Sequence, residues 1–177
     1  MPEDPVLPPE SSVLPPEGFV PPLEGSVPPP EKSLVQLVVS EVRAAVPMSP
    51  GQEAGLAVLA EPDEPFRSLY IYIGQAEARA IQSGQRGVQP PRPSTWDLFL
   101  SAVELLGGKL GDAVINAVEE SRHFYAYLEV LRGDQVDQLQ CRPSDALALV
   151  VRSPDSSLYA TEAVMAAAGR LPELPTI

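Results

Sequence analysis

Two short stretches of the chain carry side chains suited to phosphate chemistry: Arg92-Pro93-Ser94-Thr95-Trp96-Asp97 and Arg142-Pro143-Ser144-Asp145. Each sets an arginine, a proline and a hydroxyl ahead of an apolar-periodic run, with an aspartate at its start. A third segment, Gly74-Gln75-Ala76-Glu77-Ala78, opens a helical pattern with another carboxylate. Guanidinium groups bind phosphate oxygens in pairs, and carboxylates hold hard divalent cations through oxygen. A magnesium or manganese ion held by Asp145 and a neighbour such as Glu77 would generate a nucleophilic water and stabilise a phosphoryl transition state. Arg92 and Arg142 would then clamp the phosphate. The same residues also have a plain structural reading. An acid in a helix's first turn favours the positive helix end by ~0.3–1 kcal/mol, and the arginines can pair with those acids instead of a substrate.

Asp97, Ser101 and Glu104 stand at i, i+4 and i+7 and so share one helix face. Asp97 and Glu104 are about 10 Å apart along the axis at ~1.5 Å per residue. One ion therefore does not reach both, and a second helix has to contribute. His123, the single histidine, sits beside Arg122 at a strand turn and reads as a solvent-exposed turn residue. Trp96, the single tryptophan, reads as a partly buried wedge, with base stacking as the alternative. Cys141 reads as a small buried residue, since no histidine adjoins it in sequence to activate the thiol. No phosphate-cradling glycine loop, nucleophile elbow or dinucleotide fingerprint is present.

The elements that must position these groups follow from periodicity. Leu34 to Val46, Gly55 to Ala60 and Ser68 to Ile73 read as strands. Gly74 to Ser83 reads as a short helix, followed by a proline- and glycine-rich loop. A helix from Thr95 to Leu106 is capped by Ser94 or Thr95 and stopped by Gly107-Gly108. Its expected apolar stripe is Leu98, Phe99, Ala102, Val103 and Leu106. Strands follow at Lys109–Val118, Phe124–Arg132 and Gln135–Cys141, with Gly133-Asp134 as a hairpin turn. Asp145 to Arg152 reads as a helix, Leu158 to Ala160 as a short strand and Glu162 to Ala168 as a last helix. The grouping predicts a single compact α+β domain with a mixed, largely antiparallel sheet and about four helices.

Ahead of that domain, residues 1–33 repeat every seven positions, as in Val6-Leu7-Pro8-Pro9-Glu10 and Val13-Leu14-Pro15-Pro16-Glu17. Proline in each repeat excludes a coiled coil and predicts a disordered, semi-extended arm. Such an arm serves as a spacer or as a ligand for a proline-binding protein partner. The expected division is an arm at 1–33, a domain at 34–171 and a tail at 172–177.

The net charge is −12. Residues 1–33 hold six acids against Lys32, leaving 11 basic and 18 acidic residues for the remainder. The domain itself is acidic, which argues against a generally basic nucleic-acid-binding surface but leaves room for a local arginine cluster. One cysteine excludes an internal disulfide and a cysteine zinc cluster. With no signal-peptide pattern and no run of ~18 apolar residues, the expected location is the cytoplasm.

Four blocks of the sequence resemble one family. Ile73-Gly74-Gln75-Ala76-Glu77-Ala78-Arg79-Ala80-Ile81 resembles the I-G-x-x-E-A-x-A-I segment of the bifunctional nuclease family. Pro91-Arg92-Pro93-Ser94-Thr95-Trp96-Asp97-Leu98 resembles its P-R-P-x-T-H-D-L block. Phe124-Tyr125-Ala126-Tyr127-Leu128 and Arg142-Pro143-Ser144-Asp145-Ala146-Leu147-Ala148-Leu149 match its later blocks in order. The resemblance covers roughly Leu34 to Leu171. It implies a compact α+β domain that hydrolyses DNA and RNA, with nucleic acid as substrate, and the divalent cation read from the carboxylates remains an expected helper.

On this resemblance Glu77, Asp97 and Asp145 are the candidate catalytic and metal-binding groups. Arg92, Thr95, Arg142 and Ser144 are the candidate substrate contacts, and Glu104 is a further signature position. A homo-oligomer is a further expectation. One departure stands out: Trp96 occupies the position of the family's histidine. If that histidine handles metal or protons, the chain is a weakened nuclease or a regulatory or binding module of the same fold. If it only packs the helix start, nothing is lost.

Overall fold

The computed structural model describes residues 34–63, 67–88 and 90–171. The expectations for the arm at 1–33 and the tail at 172–177 lie outside the described residues. Seven strands and four helices form one mixed α+β unit. In chain order they are β1 (Leu34–Ser49), β2 (Gln52–Ala60), β3 (Ser68–Ile73), α1 (Gln75–Gln85), α2 (Thr95–Leu105), β4 (Lys109–Val118), β5 (Phe124–Arg132), β6 (Gln135–Cys141), α3 (Pro143–Val150), β7 (Leu158–Thr161) and α4 (Glu162–Ala168).

The strands lie in the order β3-β2-β1-β7-β4-β5-β6. All neighbouring pairs are antiparallel except β4 and β7. β1 joins the two halves, pairing with β7 through Leu34–Leu37 and with β2 from Val38 onward.

Alternation along the strands sets one face against the helices. Leu69, Ile71 and Ile73 of β3, Ala126 and Leu128 of β5, and Leu158 and Ala160 of β7 all enter one core cluster. α3 runs through that core and buries Ala146, Leu147, Ala148 and Leu149 together. This explains its unbroken apolar run: a helix covered on all sides has no need of a polar stripe. Small residues allow close approach nearby. A Cβ on Gly55 would come within 2.7 Å of the Ala78 Cβ and 2.9 Å of the Gly74 carbonyl, so β2 and α1 meet at glycine.

Several boundaries depart from the sequence expectations. β1 continues past Val46 to Ser49 and β2 begins at Gln52 rather than Gly55. Register shifts near Pro47 absorb the proline that marks an interruption in the sequence. α3 starts at Pro143, since proline suits a first helical position where its missing donor costs no internal bond. The stripe expected on α2 is also only partly right. Trp96, Phe99 and Leu100 pack on the core, whereas Leu98, Leu105 and Leu106 are exposed. Two overlapping apolar faces are written on α2, and its docking against α3 and β4 selects the one containing Trp96.

An ion network fastens the second half of the fold to the first. Arg67, ahead of β3, bonds Glu61 at 2.6 Å and Glu162 of α4 at 2.6 Å. Arg67 holds both carboxyls below the usual glutamate range. A carboxyl with a lowered folded pKa contributes stability above its unfolded value of ~4.3, and that contribution is lost as pH falls through the folded value. Melting temperature is therefore expected to drop between about pH 5 and pH 3. Arg67→Leu should lower Tm at pH 7 and flatten that acid limb in thermal melts.

Candidate functional site

The two arginine-led stretches end up at opposite ends of α3. At its N-terminus, Arg142 is the residue preceding the first turn, with Pro143, Ser144 and Asp145 as the first three helical positions. Its guanidinium forks onto Asp145, Nε donating to Oδ2 at 2.8 Å and Nη2 to Oδ1 at 2.9 Å. Nη1 donates to Glu77 Oε1 at 3.2 Å. The three groups thus form one charge cluster across α1 and α3. The Asp145 carboxylate, with Glu77 behind it, holds Arg142 firmly protonated. Arg142 nevertheless presents 66% of its side chain to solvent, while Glu77 and Asp145 are 20% and 30% exposed. Glu77 folds back over the start of α1, where a Cβ on Gly74 would overlap its carboxylate. Gly74 therefore leaves the room in which Glu77 meets Arg142.

At the other end of α3, Arg152 makes a second clamp. Nε donates to Asp97 Oδ1 at 3.2 Å, Nη1 to the Ala148 carbonyl at 2.6 Å and Nη2 to the Ala80 carbonyl at 3.0 Å. Its guanidinium carbon lies 5.7 Å from the Trp96 ring centroid, a cation–π contact. Asp97 is further engaged at the α2 cap, where Oδ2 accepts from the Ser94 N–H at 2.7 Å and the Ser94 hydroxyl at 2.6 Å. Ser94, with Arg152 adding, holds the Asp97 carboxyl below the usual aspartate range. Thr95 is exposed at the first position of α2, and Arg92 is exposed just before it. Glu104, Ser101 and Asp97 line a cleft of about 680 Å³ with Arg152.

The structure brings Glu77, Arg142, Ser144 and Asp145 together. It leaves Asp97, Thr95, Arg92 and Glu104 on the α2 side. Asp145 and Arg152 are seven residues apart, about 10 Å of helical rise. No three histidine, cysteine, aspartate or glutamate side chains are grouped as metal ligands among the described residues. Arg142 bridges Glu77 and Asp145, whereas Ser94 with Arg152 engages Asp97.

Arg152 was not legible as a site residue. It follows an apolar helix as an ordinary terminal base, and its partner Asp97 is 55 positions away in sequence. Arg122 and Tyr72 were also missed, and both line a cleft of about 380 Å³ beside Arg142 with Gly74, His123 and Ser144. His123 is exposed in a turn, as expected, with its Nδ1 2.8 Å from the Ser121 hydroxyl. Cys141 is half-buried and its thiol is pushed up to about 11 by burial, with Asp145 adding, so it stays protonated at neutral pH.

The order of these landmarks agrees with a family model described as the bifunctional nuclease domain, which matches residues 57–172. The chain belongs to the bifunctional nuclease domain family. Two uncharacterised proteins of Mycobacterium tuberculosis, from strains CDC 1551 / Oshkosh and H37Rv, are each 43% identical to it over 105 residues. The match covers 59% of this chain and 61% of each relative, so it spans about three-fifths of their length. Within this bifunctional nuclease domain, both arginine-led blocks and the Glu77 block lie inside the matched residues. No helix among the described residues is long and apolar enough to cross a membrane.

Proposed function

We propose that the domain binds nucleic-acid phosphates at the Arg142 cluster and hydrolyses phosphodiester bonds there. The observation that carries this reading is an exposed guanidinium held by two carboxylates in a family described as a nuclease domain. A phosphate group is a competing bidentate partner for that guanidinium. When it takes Arg142, Asp145 or Glu77 is released to accept a proton from an attacking water. The arginine then faces the charge that develops on the phosphoryl oxygens. Magnesium or manganese enters only as a proposal for the substrate-bound cluster, where Glu77 and Asp145 would be its protein ligands. DNA and RNA are the proposed substrates, and the cytoplasm is the proposed location. Self-association and a protein partner for residues 1–33 stay proposals of the same kind.

A second reading has its own support. Asp97 is bound by Ser94 and Arg152, and Trp96 stacks on that arginine. The block resembling the family's histidine-containing segment is thus occupied with structure, which suits a non-catalytic nucleic-acid or nucleotide-binding module.

Labelled single- and double-stranded DNA and RNA, incubated with magnesium, manganese or EDTA, separate the two. Hydrolysis is expected to be abolished by Asp145→Asn and Glu77→Gln, with Asp97→Asn acting chiefly through a lower Tm. Binding without cleavage under every metal condition would establish the second reading. Cleavage indifferent to both Asp145→Asn and Glu77→Gln would sink the site assignment.

A further inference from the structure

The cleft beside Arg142 is built from four separate segments: the end of β3, Gly74, the turn before β5 and the start of α3. It gathers Arg122, His123 and Arg142 in a domain whose overall charge is negative. Tyr72 lines one part of it with an exposed ring, and Ser144 lines another.

Two details distinguish the cleft. Arg122 is the one non-glycine residue among those described with positive φ, at 64°. That conformation suits the last position of a short hairpin loop, and it is held by a tight turn. The Arg122 N–H donates to the Glu119 carbonyl at 2.9 Å and the Glu119 N–H to the His123 carbonyl at 2.9 Å. Arg122 has no carboxylate partner among the described residues, unlike Arg142, whereas Glu119 is taken by Tyr125 and Ser121 and lies 3.8 Å from His123 Nδ1. Ser144 is the second detail. It is only 6% exposed and lines the cleft beside Pro143 and Arg142.

We propose that this cleft seats the terminal phosphate monoester of a single-stranded oligonucleotide, with the adjoining base stacked on Tyr72. The inference rests on the Arg142 cluster handling nucleic-acid phosphates, and it names which part of the substrate lies next to it. A monoester carries more charge and more free oxygens than an internal diester. It can engage Arg122, the Ser144 hydroxyl and the His123 ring while an internal phosphate reaches Arg142. A tyrosine face accepts any base, so the site reads the end of a strand rather than its sequence.

The test is calorimetric titration of the full chain with single-stranded DNA and RNA hexanucleotides, in 5′-phosphorylated, 3′-phosphorylated and unphosphorylated forms, and with inorganic phosphate. One phosphorylated end should bind about tenfold tighter than the unphosphorylated strand, the scale of one added hydrogen bond to a charged group. Arg122→Gly keeps the positive φ without a Cβ and should collapse that preference, while the charge-matched control Arg86→Ala retains it. Equal affinities across the three forms, or a preference surviving Arg122→Gly, would overturn the inference and leave the phosphodiester reading standing. Inorganic phosphate binding as tightly as the phosphorylated strand would also overturn it, as the mark of a free-anion site. Failure of every oligonucleotide to bind would instead bring down the reading on which it rests.

Discussion

Arg142→Ala is expected to reduce phosphodiester hydrolysis by roughly 10²-fold, the usual loss when one transition-state charge donor is removed. The side chain forks onto Asp145 at 2.8 Å and reaches Glu77 at 3.2 Å while remaining mostly in solvent. Its loss has two consequences with the same sign. The phosphoryl group loses its bidentate partner, and Glu77 and Asp145 become an uncompensated acidic pair that repels a phosphate. Arg142→Lys restores the charge but not the planar fork, so it should recover only part of the rate. Single-turnover kinetics on a labelled strand, with Tm measured alongside, check the result. A rate within about threefold of wild type in a folded Arg142→Ala protein would remove this arginine from the chemistry, since a lost charge donor acts on a 10²-fold scale.

The largest expected effect on stability belongs to Arg152. It is 11% exposed and ties three helices: Asp97 of α2, the Ala80 carbonyl of α1 and the Ala148 carbonyl of α3. Arg152→Ala removes those bonds and the stacking on Trp96, and leaves Asp97 without its cationic partner. Breaking a partly buried charged network of this kind costs about 3 kcal/mol. For a domain of this size that corresponds to a Tm lower by roughly 6–12 °C. Chemical denaturation gives the free energy directly, and Trp96 fluorescence should report the loosened α2 contact. A loss below about 1 kcal/mol, the range of an exposed pair, would show that the clamp is superficial.

Trp96 is where the two levels of reading meet. From sequence it is a departure that leaves two readings open. In the fold it lies against Arg152, the residue that binds Asp97. The α2 end is thus an interhelix clamp, and the proposed chemistry lies with Arg142, whose partners come from α1 and α3.

Most elements were legible because their signals are local. β3 alternates buried Leu69, Ile71 and Ile73 with exposed Tyr70 and Tyr72, and Ser94 with Asp97 writes a capping box before α2. The missed features depend on contacts between distant segments. Two apolar faces on α2 satisfy the same helical period, and only packing against α3 chooses between them. The same holds for the site. Side-chain types nominated Glu77, Arg92, Asp97, Arg142 and Asp145, but spacing could not say which would share one cluster.

The sequence by itself determined the family, the mixed α+β class and the residue types available for phosphate chemistry, because local periodicity, caps and ordered motifs are properties of neighbouring residues. Only the tertiary structure decided that α3 separates the two arginine-led stretches, assigning Arg142 to Glu77 and Asp145 and Arg152 to Asp97. It also brought Arg122, Tyr72 and Ser144 to one cleft. Direct ion pairing needs N···O separations of about 4 Å or less, and distances on that scale are set by how helices and strands pack rather than by their order along the chain.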